Sequence, residues 1–130
     1  LCAGEEIRGR IQRHLPEWNL SIFAERAGVA ALKETAYVKR TVDFLETERA
    51  YLTERLRHLG ITVYESRADS LLIQTKLPLY EELLQRGILI RDCRNYRGLG
   101  AGYYRVAVRL REENDRLLAA VSACVEKEKQ

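Results

Sequence analysis

Apolar residues recur at helical spacing over the first half of the chain and then give way to short runs and alternations. Ile7, Ile11 and Leu15 repeat at i+4 behind the acidic pair Glu5 and Glu6. That spacing predicts a short helix from Glu5 to Leu15, which Pro16 stops. Asn19 or Ser21 is placed to cap a second helix from Ile22 to about Lys33. Its small residues, Ala24, Ala27, Gly28, Ala30 and Ala31, permit close approach of another element, and alanines are equally ordinary helix formers. Thr35 to Leu59 predicts one long helix, because Val38, Val42, Leu45, Leu52, Leu56 and Leu59 form a stripe that ends at Gly60. Glu46, Glu48 and Glu54, mixed with Arg49, Arg55 and Arg57, are expected on its solvated side.

Beyond Gly60 the period changes. Ile61–Glu65 and Leu71–Lys76 predict two strands around the polar turn Ser66–Ser70. Pro78 opens a helix that ends near Arg86, with Gly87 as its breaker. Ile88–Cys93 and Tyr103–Arg109 predict strands three and four. Arg111 to about Glu126 predicts a last helix with Leu117, Leu118, Val121 and Val125 inward. The order α-α-α-β-β-α-β-β-α implies an α+β fold: a small mixed or antiparallel sheet with helices packed on one side, preceded by a long helix. The expected organisation is a helical segment over residues 1–34 and a small domain over residues 35–130.

The 130 residues suit one modest core, and 46% apolar with 32% charged residues is the balance of a globular chain. A net charge of +3 is too small and too evenly spread to argue for nucleic acid or a membrane surface. No apolar run approaches the roughly 18–20 residues of a spanning helix, and no signal peptide opens the sequence. Cys2, Cys93 and Cys124 are odd in number and far apart, so they predict reduced thiols and a cytoplasmic setting. No metal-ligand spacing is present. Methionine is absent even at position 1, which is read as the mark of a piece of a longer chain.

The chemistry concentrates in strands three and four. Alternation puts Tyr103, Arg105, Ala107 and Arg109 on one face and Tyr104, Val106 and Val108 on the other. On strand three, Ile88 and Ile90 share a face, while Leu89, Arg91 and Cys93 share the opposite one. If both apolar faces meet one core, Arg91 and Arg105 emerge on the same side of the sheet. An arginine among apolar neighbours is costly unless something anionic meets it, and its fork suits carboxylate or phosphate. The alternative is that Arg91 pairs with Asp92 or Glu65 and Arg105 with another acid. The loop Arg94–Gly102 carries three glycines and two arginines. It is read as a mobile rim to the site in preference to a phosphate cradle, since nothing in it has the spacing of a P-loop. Tyr96 and Tyr104 could line a pocket, and ordinary packing is the default reading.

The spelling Gly87-Ile88-Leu89-Ile90-Arg91-Asp92-Cys93, Gly98-Leu99, Tyr104-Arg105-Val106-Ala107-Val108-Arg109 and Glu113-Asn114 with Leu117-Leu118 resembles pyridoxal-phosphate enzymes of the aspartate-aminotransferase fold type. Within them it is most similar to threonine-phosphate decarboxylases of cobalamin synthesis, then to histidinol-phosphate aminotransferases. Leu15-Pro16-Glu17-Trp18-Asn19 adds weaker support, and Asp69-Ser70 departs from the asparagine-aromatic pair common there. The resemblance implies that Arg105 clamps the substrate carboxylate and Arg91 contacts the substrate phosphate. It implies pyridoxal phosphate in a parent enzyme and none bound to this piece, because Lys33, Lys39, Lys76, Lys127 and Lys129 lack the serine-rich setting of the cofactor lysine. No catalytic residue is assigned within these residues.

The expected partners are a large domain, a small phosphorylated amino acid and a second copy in a homodimer. Residues 1–34 would pack on the large domain, leaving Ile7, Ile11, Leu15, Trp18, Ala27 and Gly28 uncovered here. The competing reading from a different class is a free-standing α+β binding module.

Overall fold

The computed structural model describes residues 4–16 and 20–128. Nine elements follow in the predicted order: α1 (Glu5–Gln12), α2 (Ile22–Ala31), α3 (Thr35–His58), β1 (Thr62–Val63), β2 (Ser70–Gln74), α4 (Leu79–Leu84), β3 (Arg91–Asp92), β4 (Tyr103–Ala107) and α5 (Arg111–Glu128). The chain forms two compact units, Leu1–Val38 and Lys39–Gln130.

In the first unit, Glu5 and Glu6 occupy the first turn of α1, where the helix dipole favours acids. The helix ends three residues before the expected Leu15. His14 and Leu15 donate their N–H groups to Ile11 and Gln12 and so tighten the last turn. The Ser21 side chain caps α2 by accepting from the Ala24 N–H at 3.2 Å. Neither helix has a buried residue, and Ile7, Ile11 and Leu15 are exposed. The expectations for Asn19, Trp18 and Cys2 concern positions outside the described residues.

In the second unit the four strands run in the order β1-β2-β4-β3, every neighbouring pair antiparallel. Of the two alternatives left open by the sequence, the sheet is the antiparallel one. One face is the core: Val63, Leu71, Ile73, Tyr104 and Val106 are buried with Leu52 and Leu56 of α3, Leu79 and Leu83 of α4, and Leu117 and Val121 of α5. Helices therefore cover a single side. The Tyr104 hydroxyl donates to the Leu77 carbonyl at 3.0 Å, which satisfies the polar atom in this layer.

The edge strands are shorter than Ile61–Glu65 and Ile88–Cys93 suggested, and the cause is the same for both. The Ile61 N–H is spent on the Leu56 carbonyl and the Ile88 N–H on the Leu83 carbonyl, each closing a helix C-terminus. Gly87, at φ 72°, makes the second closure possible. Ladder pairing begins only after those bonds. Along α3 the stripe is only partly internal: Leu52 and Leu56 are fully buried, whereas Val38 and Val42 are half-exposed.

Glu48 corrects the reading of a solvated charged face, because it is buried at 5% exposure. Its carboxylate accepts from Arg111 Nε and Nη2 at 2.8–3.1 Å and from Asn114 Nδ2 at 2.9 Å. Asn114, 1% exposed, also accepts from the Arg109 N–H at 3.0 Å and donates to the Arg109 carbonyl at 2.8 Å. The Arg111 guanidinium stacks on the Tyr51 ring, 3.6 Å from its centroid, and the Tyr51 hydroxyl donates to Asp115 at 2.6 Å. One carboxylate thus ties α3 to the exit of β4 and to the start of α5. Burial of a charge is tolerable only with this many partners.

Replacing Asn114 with Ala removes three hydrogen bonds and leaves the Arg109 backbone unpaired, so unfolding in denaturant should show a loss of about 2–4 kcal/mol. The Arg111 hydrogen bonds hold the Glu48 carboxyl below the usual carboxylate range, despite opposition from burial. Its contribution is therefore complete above the unfolded-state pKa of roughly 4.3 and is lost as pH falls through the lower folded value. Melting temperatures from pH 7 to pH 3 should fall less steeply in Glu48→Gln than in the unaltered chain.

Candidate anion-binding face

β4 lies between β2 and β3, and its exposure alternates as the sequence requires: Tyr104 and Val106 inward, Arg105 and Ala107 outward. Arg91 stands directly opposite Arg105 in the β3–β4 register, and Leu72 stands opposite Arg105 on the other side. Directly opposed residues share a face, so the two arginines emerge together on the side away from the helices. Both are exposed at the surface. The Tyr64 N–H, just beyond β1, donates to the Leu72 carbonyl at 3.0 Å, which extends the row to Tyr64, Leu72, Arg105 and Arg91.

An open concavity of about 630 Å³ lies beside the pair, lined among others by Asp69, Ser70, Asp92 and Ala107 together with Arg91 and Arg105. Asp92, one of the two acids that could have neutralised Arg91, stands opposite Tyr104 on the other face and pairs with Arg94. Asp92 accepts from Arg94 Nε at 2.6 Å and from the Arg94 N–H at 2.8 Å, and Arg94 Nη2 reaches both Asp92 and Glu81. The Arg94 side chain, then its N–H, holds the Asp92 carboxyl well below its ordinary range. Arg91 instead points Nη2 at Asn95 Oδ1, 3.5 Å away, and lies 5.5 Å from the Tyr96 ring centroid. Among the described residues no ion pair joins Arg91 or Arg105 to an acid, Glu65 included.

Two details depart from expectation. Cys93, expected beside Arg91 on the outward face, is buried at 3% exposure. Its N–H pairs with the Tyr103 carbonyl and the turn closed by Tyr96 folds over it. Tyr96 is not ordinary packing but half-exposed next to Arg91, a relation that no strand period could reveal. The loop after Cys93, read from sequence as a rim rather than a phosphate cradle, uses its own donors. The N–H groups of Arg94, Tyr96 and Leu99 bond Asp92, Cys93 and Tyr96, so they are not free to cradle a phosphate.

The described residues do not compose a pyridoxal-phosphate site. No lysine lines the concavity, and Lys127 is committed to Glu82 at 2.7 Å. Lys129 lies outside the described residues. Among the described residues no cluster of histidine, cysteine and acid side chains could hold a metal ion, and no helix is long and apolar enough to cross a membrane. Cys93 and Cys124 are free and buried. The chemistry that this face offers is recognition of an anion by two forked cations.

A one-sided antiparallel sheet with helices on its other face makes this an α+β domain, with paired arginines on the open side. The family model for aminotransferase class I and II matches residues 1–121. The chain belongs to that family, whose parent enzymes depend on pyridoxal phosphate. It is 40% identical over 116 residues to the threonine-phosphate decarboxylase of Salmonella typhimurium, spanning 86% of this chain and 32% of that protein. It is 37% identical over 108 residues to the histidinol-phosphate aminotransferase of Methanocella arvoryzae, spanning 79% and 29%. The structure resembles the histidinol-phosphate aminotransferase of Clostridium acetobutylicum with a TM-score of 0.87 at 29% identity, covering 95% of this chain and 39% of that one. The L-threonine-O-3-phosphate decarboxylase of Porphyromonas gingivalis shares the fold at a TM-score of 0.67 and 24% identity. The chain spans about a third of the length of the curated relatives it matches.

The loop returns to β4 through Gly102, at φ 88°, whose carbonyl accepts the Thr75 N–H at 3.0 Å. A Cβ there would collide with the Thr75 carbonyl oxygen. Gly102→Ala should therefore lower stability by about 1–3 kcal/mol, measured as a shift of the urea unfolding midpoint, with a weaker anion site as the secondary effect.

Proposed function

We propose that this chain is the substrate-anion-binding small domain of a cytoplasmic, homodimeric threonine-phosphate decarboxylase of cobalamin biosynthesis. In this reading Arg105 holds the substrate carboxylate and Arg91 the substrate phosphate. The observation that carries it is the direct cross-strand pairing of Arg91 and Arg105 on the sheet's open face, with Asp92 on the other face. Two like charges set opposite one another destabilise a sheet, and a dianionic ligand would turn that cost into binding. The 40% identity to the Salmonella decarboxylase supports the substrate.

Pyridoxal phosphate and the lysine that holds it would come from a large domain outside this sequence, since the described residues do not fit it. What these residues contribute is orientation. Two bidentate contacts at opposite ends of a small amino-acid phosphate remove its rotational freedom and set the direction in which the carboxylate leaves as carbon dioxide. The product would be an aminopropanol phosphate.

A histidinol-phosphate aminotransferase is the second reading, favoured by the higher structural similarity, a TM-score of 0.87 against 0.67. Histidinol phosphate has no carboxylate, so both arginines would then converge on one phosphate.

Turnover of O-phospho-L-threonine and of histidinol phosphate by the full-length protein tests the choice. The decarboxylase reading expects carbon dioxide from the first and no transamination of the second, and the reverse outcome would select the alternative. Under the first reading Arg105→Ala should reduce kcat/KM by about 30-fold or more while the cofactor still loads. Arg91→Ala should erode the preference for phosphorylated over unphosphorylated threonine. An equal loss on both substrates would refute the division of roles.

A further inference from the structure

Arg91 and Arg105 are chemically alike and opposite in register, yet their surroundings differ. The Arg105 guanidinium meets no acceptor and no ring among the described residues, whereas Arg91 is attended by Asn95 at 3.5 Å and by the Tyr96 ring at 5.5 Å. A free arginine samples many rotamers, and ordering it on a ligand costs conformational entropy. A ring beside the guanidinium restricts that sampling without neutralising the charge, because a cation over an aromatic face keeps its N–H edges open to an anion.

The position of Tyr96 is itself fixed. Its N–H donates to the Cys93 carbonyl at 3.0 Å and its carbonyl accepts from the Leu99 N–H at 3.1 Å. Arg94, two residues earlier, is anchored by Asp92 and by Glu81 of α4. Asp92 itself stands opposite Tyr104 in the register, on the other face of the strand from Arg91. The loop therefore presents, from a fixed position, the ring that orders Arg91.

From this geometry we infer that Tyr96 is a positioning residue that holds Arg91 ready for an anion and thereby sets the preference for phosphorylated ligands. The inference rests on the reading of Arg91 as the phosphate contact and adds the group that makes the contact effective. Asn95 assists by offering its carbonyl oxygen to one edge of the guanidinium, leaving the other edge for the ligand.

The test uses the full-length protein and three variants, Tyr96→Leu, Tyr96→Phe and Arg91→Ala. Affinity for O-phospho-L-threonine and for L-threonine is measured in each by titration. Loss of a half-exposed cation–ring contact should weaken the phosphorylated ligand about three- to fivefold in Tyr96→Leu, compressing the ratio of the two affinities. Tyr96→Phe keeps the ring and should restore the ratio, which a general loss of loop stability in Tyr96→Leu would not explain by itself. If Arg91→Ala compresses the ratio but Tyr96→Leu leaves it intact, or if Tyr96→Phe is as impaired as Tyr96→Leu, the positioning role is overturned. If Arg91→Ala leaves the ratio unchanged, the reading of Arg91 fails, and the inference fails with it.

Discussion

The two-residue period of β4 is the constraint on which everything else depends. Because Tyr104 and Val106 must enter the core beneath α3, α4 and α5, Arg105 and Ala107 have no choice but to face outward. A slip of one residue would drive a guanidinium into the apolar layer and expel a valine whose burial is worth about 1.5–3 kcal/mol. The register with β3 then sets Arg91 opposite Arg105. The pairing of two cations is thus enforced by packing on the far side of the sheet, not by any attraction between them.

That arrangement carries an electrostatic cost which the local sequence leaves in place. The acid next to Arg91 in the chain, Asp92, falls on the Tyr104 side of the strand and pairs with the Arg94 side chain and backbone N–H. Elsewhere in the same domain charges are matched closely: Glu48 with Arg111, Arg109 with Glu113, Lys127 with Glu82. On the proposed function, the Arg91 and Arg105 pair on the open sheet face would receive an outside anion. Surface charges of this kind are screened beyond roughly 10 Å at ordinary salt, so the attraction acts at contact range and favours a ligand seated in the adjoining concavity.

The element order, the open-face placement of Arg91 and Arg105 and the inward valines were legible because each follows from a period that the residues themselves display. The shortness of β1 and β3 was not. It depends on where two helix ends spend the N–H groups of Ile61 and Ile88, a choice made in three dimensions. Glu48 was misread for a related reason. Its helical neighbours are charged and solvated, and only the arrival of Arg111 and Asn114, more than sixty residues later, makes its burial possible. Tyr96 looked like packing because a loop has no periodicity from which to read a facing residue. The Glu113-Asn114 spelling did carry a signal for the buried network, since an asparagine inside a helix start is unfavourable without a specific partner.

The central claim is that this sheet face, through both arginines, is where a ligand's anionic groups are held. A crystal structure of the full-length protein with O-phospho-L-threonine bound tests it most directly. The account predicts oxygens of the ligand's carboxylate and phosphate within about 3 Å of the Arg105 and Arg91 guanidinium groups, respectively. A ligand seated elsewhere, or one whose anions are held entirely by other residues while these two arginines remain in solvent, would contradict it.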